Sequence, residues 1–82
     1  MSHRHRPLHE IAREIVQDWK NVHFSAVPYL RALSTLTDVN EPYGQDPGSS
    51  IVAYFLSNAH SWRGEKARSI KKELNAILKM AN

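Results

Sequence analysis

The sequence predicts an all-α fold: a compact bundle of three to four helices, with the third helix central. Three observations predict it. Apolar residues recur at spacings of three and four over most of the 82 residues, as in Leu8, Ile11, Ile15 and Trp19. The run Ile51-Val52-Ala53-Tyr54-Phe55-Leu56 is apolar nearly all round, the pattern of a helix buried on most sides. Nowhere does the chain alternate apolar and polar residues as a half-buried strand does, so no strand is expected.

The first helix is expected over about Leu8 to Lys20, with Pro7 in its first turn and Ala12 and Val16 widening its apolar stripe. The second should run from Ser25 or Ala26, with Ser25 a plausible cap, to about Leu36, presenting Tyr29, Leu30, Leu33 and Leu36. Residues 37–46 are dense in turn formers and read as the one real loop. Asp46-Pro47 reads as the cap and first residue of helix three, which should reach about Ala59. Ser61 is the expected cap of helix four, from Trp62 to about Met80, with Ala67, Ile70, Leu74, Ile77 and Leu78 facing inward. Residues 1–6 read as a flexible basic arm and 7–82 as a single helical domain.

Composition narrows the function classes. The absence of cysteine excludes disulfides and thiolate metal sites and suits a reducing cytoplasm. No apolar run approaches the roughly 20 residues that span a bilayer, and the basic N-terminal stretch lacks a signal peptide's apolar core, so a soluble cytoplasmic protein without membrane contact is expected. Eleven Lys/Arg against eight Asp/Glu give a net charge of +3, which permits nucleic-acid binding without requiring it.

The cations concentrate in one place. Arg63, Lys66, Arg68, Lys71 and Lys72 crowd the outer face of helix four and, with Arg4 and Arg6 of the arm, form the candidate nucleic-acid surface. The plainer reading is a solvated face, or one that pairs with the acidic ridge Glu10, Glu14 and Asp18 on helix one. Helix three, turn and helix four also invite comparison with a helix-turn-helix, which would put Trp62 and Arg63 in the first turn of the reading helix. Of seven aromatic residues most are expected in the core; Tyr43, Tyr54 and Trp62 are the candidate protein-binding residues, because so small a domain has few layers in which to bury them.

Catalytic and metal chemistry find little support. His9-Glu10-Ile11-Ala12-Arg13 begins like a zinc-protease helix, but Arg13 stands where the second ligand must be. Adjacent His60 and Ser61 point apart, and no acid orients the imidazole. No enzyme, cofactor or metal is expected.

The blocks Ile11-Ala12-Arg13-Glu14-Ile15, Asp18-Trp19-Lys20-Asn21-Val22, Ala26-Val27-Pro28-Tyr29-Leu30, Tyr54-Phe55-Leu56-Ser57-Asn58-Ala59 and Trp62-Arg63-Gly64-Glu65 resemble a family of short proteins from actinobacterial phages and prophages. The resemblance implies a phage or prophage accessory protein acting in the bacterial host cytoplasm, and it carries over no site residue. The expected function is therefore a non-enzymatic protein–protein interaction module with a host or phage protein as partner, or self-association into a homo-oligomer. A DNA-binding protein is the alternative.

Overall fold

Two flanking segments decide where the first helix begins. Free N–H groups of its first turn donate to carbonyls of the segment that follows the second helix: Leu8 N to Thr37 O at 3.0 Å and His9 N to Leu36 O at 2.8 Å. The computed structural model describes residues 5–81, and in it α1 spans Leu8–Asp18. Pro7 is its N-cap, and Trp19 ends it in an extended conformation two residues earlier than the spacing predicts.

Helix α2 covers Val27–Leu33 and stops short of Leu36. The reason is local: Ser34 Oγ donates to Arg31 O at 2.6 Å and Thr35 Oγ1 to Ala32 O at 2.8 Å, drawing the helical carbonyls into tighter turns. Ser25 does not cap α2; it interacts with His23 instead.

Residues 37–47 are more ordered than a loop rich in turn formers suggests. Glu41 Oε1 accepts from Thr37 N at 2.7 Å and Asp38 N at 3.2 Å, while Asn40 N donates to Asp38 Oδ1 at 2.9 Å. The chain then makes a small antiparallel hairpin, β1 Pro42–Tyr43 with β2 Asp46–Pro47, across a Gly44-Gln45 turn. This corrects two expectations: strands do occur, and Asp46-Pro47 forms the second of them, so that Pro47 rather than Asp46 is the N-cap of the next helix. Helix α3 begins at Gly48 and runs to Ser57. Asn58, whose side chain donates to Tyr54 O at 2.8 Å, caps its end before Ala59.

Helix α4 spans Glu65–Met80, so Ser61 is not its cap and Trp62 and Arg63 lie outside it. Gly64 holds the N-cap position at φ 110°, a conformation closed to side-chain-bearing residues. A Cβ there would touch nothing within 4 Å, so the glycine serves the backbone turn and not the close approach of a neighbour.

The four helices enclose one core. Helix α1 packs against α2 and α4, and α3 packs against α2, α4 and the hairpin. A central place for α3 is not established by the packing, although only two of its ten residues are exposed. Ile51, Val52 and Phe55 are buried, but Tyr54 and Ser57 face solvent. Its apolar circumference shares the core with the stripes of α1 and α4, where Leu8, Ile11, Ile15, Ile70, Leu74 and Ile77 are all essentially inaccessible. The Cα radius of gyration, 11.7 Å, equals that of a well-packed chain of this length.

Candidate interaction surfaces

Trp62 is the first expected site residue to be reassigned. It is 2% exposed, and its indole stacks on Trp19 at 5.7 Å between ring centres with the planes 12° apart. Phe55 meets both rings edge-on, at 6.2 and 6.4 Å. The indole N–H donates to Asp18 Oδ2 at 2.8 Å, so the polar handle of a buried ring is satisfied. Trp62 therefore presents no surface to a partner and belongs to an aromatic core cluster. Its burial outside α4 also removes the first-turn contacts that a helix-turn-helix would need.

Tyr43 and Tyr54 do face solvent, at 43% and 44% exposure. Tyr54 leans on Tyr29 of α2, 5.4 Å between ring centres, making an aromatic ridge across the α2–α3 seam. Sequence reasoning missed two further positions. Phe24, expected in the core, is 81% exposed and stacks only on its neighbour His23 at 4.7 Å. Val16, counted into the stripe of α1, is 55% exposed. The signal for Val16 was present: it follows Ile15 by one residue, about 100° round the helix and so at the edge of the stripe.

Val16 forms one wall of a groove of about 230 Å³. Val22, the α2 residues Val27, Leu30 and Arg31, and the α2 C-cap Ser34 complete its lining. Those α2 positions are i, i+3, i+4 and i+7, one continuous ridge of the helix. A second hollow of about 260 Å³ lies where the α1–α2 turn meets the end of α3, between His23, Ser25 and Ser57 on one side and Asn58, His60 and Ser61 on the other. There His23 Nδ1 accepts the Ser25 N–H at 3.2 Å and lies 2.8 Å from its hydroxyl, which commits that nitrogen as an acceptor.

The expected basic surface divides. Arg4 lies outside the described residues. Arg6 is no free arm: it donates to Glu14 Oε2 at 2.7 Å and, in a fork, to Glu73 Oε1 and Oε2 at 2.8 and 2.9 Å, tying the N-terminal segment to α1 and α4. Hydrogen bonds donated to Glu73 and then to Glu14 raise the pKa of Arg6, and the Arg6 bonds hold the Glu14 carboxyl below its ordinary value. Lys66 approaches Glu14 at 3.8 Å. Among the described residues the expected pairing of the basic face of α4 with the acidic ridge of α1 is limited to Lys66 and Glu14, and the nearer cation on Glu14 is Arg6 of the N-terminal segment. Lys71 folds inward, donating to Trp62 O at 2.7 Å with its ammonium 5.9 Å from the indole centre. Burial first, and Arg63 second, depress its pKa. Arg63, Arg68 and Lys72 are exposed; Arg68 and Lys72 share one stripe with Lys79.

None of the described helices is long and apolar enough to cross a membrane. No protein-family model, no curated protein and no solved structure matches this chain.

Proposed function

We propose that this protein is a non-enzymatic interaction module that docks a partner protein through exposed apolar and aromatic surface. One observation carries the reading: Val16, Phe24, Tyr43 and Tyr54 stand in solvent although the core beneath them is closed. Single exposed apolar residues are ordinary, but Val16 borders an apolar groove and Tyr54 extends a second aromatic ring, and such contiguous surface marks docking sites. Tyrosine and phenylalanine anchors suit interface cores. The resemblance of the sequence blocks to actinobacterial phage and prophage proteins supports a host or phage protein as partner, in the bacterial cytoplasm. The test is site-specific photo-crosslinking in the native cell, with the reactive side chain placed at Phe24, Tyr43 or Tyr54 and, as controls, at the exposed Ser69 and Asn75 of α4. Adducts concentrated at the aromatic positions support the reading; equal or absent adducts refute it.

A second reading, DNA binding, is favoured by the exposed stripe Arg68, Lys72 and Lys79 with Arg63 nearby, none of which makes an ion pair among the described residues. Titration against random-sequence duplex at about 50 and 200 mM salt separates phosphate-driven binding, which falls steeply with salt, from none. Because Lys71 is engaged internally, the charge reversals that report on this reading are Arg68→Glu and Lys72→Glu.

A further inference from the structure

From the α1–α2 groove we infer a specific occupant: an acidic, amphipathic helix of a partner protein, laid along α2 with its apolar side chains against Val16 and Leu30. This deepens, and rests on, the reading of the protein as an interaction module. Shape argues for a helix. The groove runs between two helices and follows the ridge Val27–Leu30–Arg31–Ser34, eight residues spanning about 10 Å, which two turns of a third helix match. At about 230 Å³ it is smaller than the roughly 300–1,000 Å³ typical of small-molecule sites, and its lining offers little beyond apolar side chains.

Charge argues for an acidic partner. Arg31 lines the groove, and Arg13, outside the lining, lies one helical turn before Val16 on α1. Both are exposed, and neither makes an ion pair among the described residues. No carboxylate lines the groove. Of the acids of α1, Glu14 binds Arg6, Asp18 accepts the Trp62 indole, and Glu10 is exposed outside the groove lining. An apolar floor with a cationic rim fits a helix whose apolar stripe is flanked by Glu or Asp.

The test uses the full chain and a labelled 14-residue helical peptide with Leu at i, i+3, i+4 and i+7 and Glu on both flanks, read by fluorescence anisotropy. A twin peptide carries Lys in place of Glu. Micromolar binding of the acidic peptide is expected, with the Lys twin bound at least about tenfold more weakly. Val16→Glu, at an exposed helical position, should weaken the acidic peptide about 30-fold, as removal of a buried anchor does. Its circular dichroism should match that of the unmodified chain. Arg31→Glu should weaken it several-fold and invert the preference between the twins. Equal affinity for both twins, still lost in Val16→Glu, overturns the acidic partner while the groove stands. Binding indifferent to Val16→Glu, or no binding, overturns the groove. A dimer seen in sedimentation and dissolved by Val16→Glu overturns the proposal in favour of a second copy of this chain. In each case the crosslinks at Tyr43 and Tyr54 decide the module reading separately.

Discussion

At Trp62 the same side chain can be either a partner anchor or a core residue, and its surroundings decide. Its ring stacks on Trp19 and its N–H reaches Asp18, so truncation opens a large cavity. Trp62→Ala should destabilise the fold by about 3–5 kcal/mol, read as a collapse of the denaturant midpoint. An unchanged midpoint would contradict its place in the core. Gly48 is a second decisive residue. A Cβ there would stand 2.8 Å from Val39 O and 3.1 Å from Glu41 O, both backbone atoms that cannot swing away. Gly48→Ala should therefore cost about 1–3 kcal/mol, although alanine is the better helix former. A neutral or stabilising result in chemical denaturation would show that the loop yields.

At the scale of elements, α1 and α4 are joined through one guanidinium. Arg6 grips Glu14 of α1 and Glu73 of α4, and the side chains are each about a third exposed. Solvent screening keeps such a pairing near or below about 1 kcal/mol. Its pH signature is clearer than its size. The pKa of Glu14 is lower in the folded chain than its ordinary value of about 4.3, so its contribution is fully present above that value. It disappears as pH falls through the lower, folded value. Glu14→Gln should thus flatten the acid limb of the melting curve below about pH 4.3 while shifting the neutral-pH melting temperature by only a few degrees. An acid limb identical to that of the unmodified chain would refute the role. The connection between α3 and α4 tells a similar story about caps. Seven residues, 58–64, separate the helices, and the start of α4 is set by Gly64 at φ 110°. Gly64→Ala should cost about 1–3 kcal/mol through backbone strain alone, since no neighbour obstructs the new methyl.

The whole molecule behaves as one layer of helices around one apolar interior, with the N-terminal segment zipped to residues 36–39, just after α2, through Leu8, His9 and the His5 ring, whose Nε2 accepts the Val39 N–H at 3.3 Å. All four helices contribute to a single core, so unfolding should be one cooperative transition in which tryptophan fluorescence and far-ultraviolet dichroism coincide. Separate transitions would mean that α2 and the hairpin melt on their own. The helical class, a bundle of three to four helices and the inward stripes Leu8–Ile11–Ile15 and Ala67–Ile70–Leu74–Ile77 were determined by the sequence, because apolar spacing is a local property that every residue carries with it. Tertiary structure alone decided the rest. It shortened α2 and α3 through side-chain bonds to their last carbonyls, turned Asp46-Pro47 into a strand, sent Trp62 inside and left Phe24 and Val16 outside. It also spent Arg6 and Lys71 on internal bonds and left Arg31 beside an apolar groove. Which apolar residue is covered, and which cation is paired, depends on what other elements bring to the same point in space, and residue spacing along one helix does not contain that information.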